Sequence, residues 1–477
     1  MKQYTHAWLA MMAMKRIEYA TLPEKQQDDA KALITWFKNY RDLVLQGSWY
    51  PDMVFKDMAS SHIAKYYPFA EYEQTKGKGI DAELAEEAGN AKKVAKTGKK
   101  DPYIKVESDF RKMPSTLRMC KWVKKSPKYN QPYIQFKRHN LCDRCESFAE
   151  SIIDSFKILM MENRGAPVVA SNNHIAMRFF ILSHYIADAH MPLHCDARSF
   201  CNSNEVHTFI EKEWDEMVRA AYKIDEDNSR FFYDSEGYPL FNEGVDPAPL
   251  IKYVEKEAID RKFDWTWGED NNNTWDYMSG ITQHSYLMAY DLIPADRAPK
   301  DITEEYYKST EAYQKHFQKY SEIILGDAVD SIAKVWLHAW CRYRSWFRDH
   351  ELAILNEELT KAENNYNWSD SIIDSNPTLI GVKQTAIEKA EETLRKRQEA
   401  VDEAIAKGKE PSKTQKDNVA SSTRNLERLK GELEKLESDL DKAVSYYDIY
   451  EAIYIATMLQ VKSKEAEIAK YGKTDSI

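Results

Sequence analysis

The chain has 477 residues and a net charge of −10; 43% of its residues are hydrophobic and 12% aromatic. That allows two to four domains with packed cores, and the acidic balance excludes a chain that is basic overall, though not a local basic patch. Only 15 Gly and 16 Pro occur and alternating β-branched runs are few, so the composition predicts an all-α fold of long helices.

The opening segment MKQYTHAWLAMMAMKRIEYA has too short an apolar stretch for a signal peptide, interrupted by Lys15, Arg16 and Glu18. Helical spacing predicts elements over 3–20 and 25–46, joined by TLPEK, where Pro23 suits a first turn. GSWYPD at 47–52 reads as a loop, and 53–67 as a helix stopped by Pro68. The charged stretch 71–102, nearly free of large apolar groups, predicts a mobile insertion. Helical patterns return at 143–163, 173–190 and 205–224, and 225–248 reads as irregular. Further helices over 249–262, 275–292, 303–321 and 322–356 complete a first domain, 1–356. No run of 18 apolar residues predicts a membrane span. Six cysteines are too few for a disulfide framework in this length, so a cytoplasmic location is expected.

Beyond residue 377 the composition changes. Ile387, Ala390, Leu394 and Val401 follow one heptad, and Leu426, Leu429, Leu433, Leu436 and Leu440 another. AKGKEPSKT lies between them. This predicts a second domain over 377–470, an antiparallel coiled-coil hairpin through which the chain binds a protein partner or itself.

The chemistry concentrates in HYIADAHMPLH. His184 and Asp188 are four apart and share a helix face. His194 follows beyond Pro192, which ends the helix. His207 and Glu211 form a second such pair on the next helix. Nitrogen and oxygen donors in this pattern suit zinc, and Asp188 is placed to serve two ions. His6, Asp52 and His62 lie upstream, each individually explicable as structural. HNLCDRC places His139, Cys142 and Cys145 where a separate zinc site could form, but a second CxxC is missing, so buried reduced cysteines are the expected reading.

His-x3-Asp-x5-His followed by His-x3-Glu resembles the superfamily that unites bacterial zinc-dependent phospholipase C with the single-strand-specific zinc nucleases. THAWLAMM and SSHIAKYYPF resemble that family's other histidine segments, while Ala187 and Met191 stand where its Gly and Gln are usual. The resemblance covers roughly residues 1–350. It implies a helical domain holding two to three zinc ions. Asp52, His62, His184 and Asp188 would hold one ion, and His194, His207 and Glu211 a second, more open one. His6 and Asp188 would hold a third, which the family completes with the amine and carbonyl of an N-terminal Trp. Met1 stands here instead, five residues before His6, and a retained Met1 is expected to supply both groups. The implied activity is phosphodiester hydrolysis by zinc-activated hydroxide, with Asp52 as the residue that orients or deprotonates the water. Phospholipid is the expected substrate because Glu rather than Asp ends the second motif. Single-stranded nucleic acid is the alternative substrate, and a catalytically silent, metal-stabilised interaction scaffold the alternative role.

Overall fold

The fold comes from a computed structural model that describes residues 1–56, 59–64, 66–67, 133–134, 141–162, 170–196, 205–265, 274–293 and 302–471. The insertion expected at 71–102 and the zinc candidate His139 lie outside the described residues. The chain divides into two compact units, Met1–Ser345 and Trp346–Lys473.

As expected, the fold is all-α. The helices, in chain order, are α1 (Gln3–Tyr19), α2 (Glu24–Lys38), α3 (Val44–Gly47), α4 (Leu141–Glu162), α5 (Asn172–His190), α6 (Pro192–Cys195), α7 (Glu205–Ala221), α8 (Pro249–Asp260), α9 (Thr274–Leu292), α10 (Glu304–Ser309), α11 (Phe317–Ala406) and α12 (Lys413–Tyr471). The β-structure among the described residues is two antiparallel pairs: β1 (Tyr66–Tyr67) with β2 (Tyr133–Ile134), and β3 (Ile224–Asp225) with β4 (Arg230–Phe231).

In the first unit, Ala7 through Met14 of α1 are all buried. A helix apolar on every face must be surrounded, and α1 packs against α2, α3, α5, α7 and α8. Gly47 lets α3 seat closely on α5, since a Cβ there would meet Phe180 Cβ at 2.7 Å. Around Trp336 of α11 the rings of Phe37, Phe179 and Phe180 lie 4.7, 6.0 and 5.9 Å away between centroids, and the Trp336 indole N–H donates to the Phe179 carbonyl at 3.0 Å. This wall of aromatic side chains buries the inner face of α5, the helix that carries His184 and Asp188.

Two local expectations change. Residues 53–67 are not one helix. Pro51–Phe55 forms a π-type turn, Lys56 adopts a left-handed φ of 45°, Ala59–His62 forms a 3-10 turn, and Tyr66–Tyr67 is strand β1. Tertiary hydrogen bonds override helical propensity here: Ala64 N–H donates to the His194 carbonyl and Leu141 N–H to the Ile63 carbonyl, both at 3.2 Å. Second, α11 does not stop at 356 but runs continuously to Ala406, through Pro377. The Asn376 side chain beside that proline is buried and donates to the Leu436 carbonyl at 2.9 Å, so the opposite arm stabilises the helix where its own hydrogen-bonding is interrupted.

In the second unit the distal part of α11 and α12 form an antiparallel helical hairpin that packs on itself. Ile387 and Leu429 are buried in the seam, Lys383 pairs with Glu432 and Lys430 with Glu391, each at 2.7 Å, and Tyr366 stacks on Tyr454 at 5.6 Å. The turn is written in the sequence. Gly408, at φ 67°, is the left-handed residue after α11: its N–H donates to the Ile405 carbonyl at 2.8 Å, and Lys409 N–H to the Ala404 carbonyl at 3.0 Å. Ser412 and Gln415 then cap α12 reciprocally, at 2.9 and 3.2 Å.

His338 on α11 gives a pH prediction. Burial lowers its imidazole to about 3 from the ordinary 6.5, and its ring nitrogen Nε2 lies 2.6 Å from the Trp265 carbonyl. The folded chain therefore keeps His338 neutral where the unfolded chain protonates it. The resulting stability is fully present above pH 6.5 and is lost as pH falls toward 3. Urea unfolding at pH 7 and pH 5 is expected to differ by about 2 kcal/mol more in the wild type than in His338→Gln. Equal pH dependence in the two proteins would refute this.

Candidate metal centre

Five segments supply the site. α5 contributes His184 and Asp188 one turn apart, and Ser171 caps that helix by accepting from His174 N–H at 3.2 Å. Met191 interrupts the helix, and Pro192 starts the short α6 that carries His194. α7 presents His207 and Glu211 one turn apart. His6 comes from the first turns of α1, and Asp52 and His62 from the turns after α3.

The structure brings all of the expected site residues together. Among the described residues three donor groups form, each with ligand atoms within 4.8 Å of one another: His62, His184 and Asp188; His6, Asp52 and His184; and His194, His207 and Glu211. The last group is the expected second set. The first two divide the expected four-residue set, and His6 groups with Asp52 and His184 as well as facing Asp188 at 3.5 Å.

Asp188 is the hub. Its Oδ2 lies 2.9 Å from His62 Nδ1 and 3.2 Å from His184 Nε2, and its Oδ1 3.0 Å from the Met1 amine and 3.6 Å from His194 Nδ1. Across the site Glu211 Oε1 is 2.7 Å from both the Met1 amine and His207 Nε2. Asp52, one-third exposed, is the open member, 3.8 Å from the Nε2 atoms of both His62 and His184.

The electrostatics keep the two buried carboxylates ionised and two of the imidazoles neutral. Burial opposes ionisation of Asp188 and Glu211, yet the Met1 ammonium and neighbouring imidazoles hold both carboxyls well below their usual range. Burial likewise lowers the Met1 amine, but Asp188 and Glu211 outweigh it and carry the amine up to about 10. Burial depresses His6 well below its ordinary value and His194 to about 4.

A metal cation fits these residues. Among the described residues, both ring nitrogens of buried His6 and Nδ1 of His194 have no hydrogen-bond partner, a costly arrangement that coordination relieves. Ring nitrogens also confront each other, His62 Nδ1 and His184 Nε2 at 3.2 Å and His194 Nε2 and His207 Nε2 at 3.0 Å. Neutral imidazoles carry one N–H each, and a shared cation lets such nitrogens converge. His184 is aimed for this: its Nδ1 lies 2.7 Å from the Ser48 carbonyl, which can only accept, so Nδ1 carries the hydrogen and Nε2 presents its lone pair to the site.

Sequence reasoning read GSWYPD as a plain loop and missed that Ser48 carbonyl, which no side-chain pattern reveals. It also missed Asp215, although the four-residue period from His207 through Glu211 leads to it. Of the aromatics near the ligands, Trp8 is fully buried core, its indole N–H donating to the Tyr222 hydroxyl. The Trp49 ring lies 6.3 Å from His6 and 6.4 Å from His184. Cys142 and Cys145 are buried thiols that form no disulfide among the described residues. No helix among the described residues is long and apolar enough to cross a membrane. No family model matches the chain, and no curated protein or solved structure matches it either.

Proposed function

We propose that this chain is a zinc-dependent phosphodiesterase of the phospholipase C type, related to the phospholipase C and zinc nuclease superfamily that its motifs resemble. The observation that carries the reading is the convergence of five imidazoles on Asp188 and Glu211, with Asp52 beside two of them and buried ring nitrogens without a hydrogen-bond partner among the described residues. The donor set of imidazole nitrogen and carboxylate oxygen suits zinc. Bound there, clustered zinc ions supply Lewis acidity and an acidified water.

The chain's own residues do the rest. Asp52, the accessible carboxylate of the cluster, accepts the proton from the attacking water. A bond forms from that oxygen to phosphorus, the bond from phosphorus to the diacylglycerol oxygen breaks, and the proton passes to the departing oxygen, giving an alcohol and a phosphomonoester. The lipid preference finds support beside Asp52. Met53, Val54 and Phe55, the next three residues, are 63%, 52% and 42% exposed, an apolar rim that suits acyl chains better than phosphate backbone. Cys142, Cys145, Cys195 and Cys341, buried thiols in no disulfide among the described residues, favour a reducing, cytoplasmic setting.

The test pairs zinc content with hydrolysis of phosphatidylcholine micelles and of a single-stranded oligonucleotide. Two to three zinc ions per chain and release of diacylglycerol are expected. Oligonucleotide cleavage alone would move the substrate assignment to nucleic acid, and absence of bound zinc would remove the reading altogether. The reading also takes a free Met1 amine as a zinc donor in the position of the family's N-terminal Trp. A Gly-Ser extension ahead of Met1 is expected to lower the zinc count by one, and full zinc loading and turnover in that protein would exclude the amine as donor.

A further inference from the structure

We propose that Asp215 is the positioning residue that aims the Met1 α-amine into the metal centre, an inference resting on the reading of that amine as a donor. α1 starts at Gln3, with Lys2 at its N-cap and no capping side chain of its own. The N–H groups of a helix's first turn need acceptors from elsewhere. α7 supplies one: Asp215 Oδ1 accepts from the backbone N–H of Tyr4 at 2.9 Å and of Thr5 at 3.0 Å, and lies 3.4 Å from the Thr5 hydroxyl.

What distinguishes this contact from an ordinary cap is where Asp215 sits. His207, Glu211 and Asp215 are spaced by four on α7, so they occupy one face, each step about 6 Å along the axis. The helix that presents two donors thus also grips the first turn of α1. Three residues before Tyr4, the Met1 amine meets Glu211 Oε1 at 2.7 Å and Asp188 Oδ1 at 3.0 Å. The separation between amine and carboxylate is set within a single rigid element instead of through the long path around α1. Arg219, one further turn along, lies 4.9 Å over the Tyr4 ring and braces the same segment. Among the described residues the hydrogen bonds of Asp215 go to the first turn of α1, so it acts through the backbone it holds.

A purely structural cap would cost stability and leave the amine's surroundings unchanged in the folded chain. The experiment therefore reads the amine directly. Wild type, Asp215→Ala and Asp215→Asn, all with Met1 as the free terminus, are stripped of metal and exposed to an amine-acylating reagent near pH 7. Mass spectrometry follows labelling at Met1, and native mass spectrometry follows zinc count after reloading. Labelling in Asp215→Ala is expected to be roughly five- to tenfold faster, the size of a lost cap, with one zinc fewer. Asp215→Asn, whose side-chain oxygen still accepts, is expected to match the wild type in both. Asp215→Ser draws the acceptor oxygen one bond back toward α7 while staying polar and is expected to behave as the alanine variant; it decides the matter if the alanine variant does not fold. Wild-type labelling rates in the alanine and serine variants would overturn the proposal. If the wild type itself binds no zinc, the proposed function fails while the labelling comparison still decides the role of Asp215.

Discussion

Replacing Asp188 by Asn is expected to empty the centre of metal and stop phosphodiester hydrolysis together. The side chain is 1% exposed, and five nitrogens face its two oxygens: those of Met1, His6 and His194 at Oδ1, and those of His62 and His184 at Oδ2. An amide removes the charge and replaces one oxygen with a donor that cannot ligate a cation. Either rotation of the amide takes the oxygen away from one set of nitrogens. Zinc per chain is expected to fall below one, and kcat/KM by at least about 10²–10³-fold, the scale for losing a group at the reacting charge. The metal-free variant is also expected to lose about 3–5 kcal/mol, because the buried Met1 ammonium keeps only Glu211 as a counter-ion. Elemental analysis, a diacylglycerol assay and urea unfolding in chelator check the three effects separately. Glu243→Gln, which removes an exposed carboxylate paired with Lys223 at 2.6 Å, is the control and should change none of them. Normal metal content and turnover in Asp188→Asn would end the metal-centre reading.

How much of this was legible in advance follows from the geometry of each part. The His184/Asp188 and His207/Glu211 pairs were readable because a helix makes the fourth residue a neighbour, and Pro192 marked where α5 must stop. The Met1 expectation came from the resemblance and not from helix geometry; the Met1 nitrogen lies 3.0 Å from Asp188 Oδ1 and 2.7 Å from Glu211 Oε1. The hairpin was readable from its leucine repeat, with Gly408 and Ser412 marking the turn. What was not readable depended on tertiary contact. Apolar spacing over 53–67 could not report that Ile63 and Ala64 would hydrogen-bond to distant backbone, nor that Lys56 would turn left-handed. Pro377 signals a break in isolation, and only the opposing arm lets the helix pass through it. The Ser48 carbonyl that orients His184 is a backbone atom and has no sequence signature.

Arg16 carries the largest expected effect away from the site. It sits on α1, 1% exposed, in what composition alone would make an apolar helix. Its Nε donates to Asp330 Oδ1 at 2.6 Å, another guanidinium nitrogen donates to the Arg261 carbonyl, and the group lies 5.1 Å from the Phe263 ring centre. Asp330 is shared, since Arg261 Nε reaches its Oδ2 at 3.1 Å while Arg261 also holds Asp327 at 2.9 Å. Four charges thus neutralise one another where α1, the stretch after α8 and α11 meet. Removing one buried member strands the others in a poorly solvated place, which costs about 3–5 kcal/mol, whereas replacing a whole pair by apolar groups of similar size is often neutral. Arg16→Met is therefore expected to lower stability by that amount in urea unfolding, with zinc content unchanged. The double variant Arg16→Met/Asp330→Leu is expected to regain a large share, and the double-mutant cycle to report coupling of about 1–3 kcal/mol. Additive losses would mean that Arg16 stabilises the fold through the packing of its methylenes and its bond to the Arg261 carbonyl, and that the ion pair contributes nothing net.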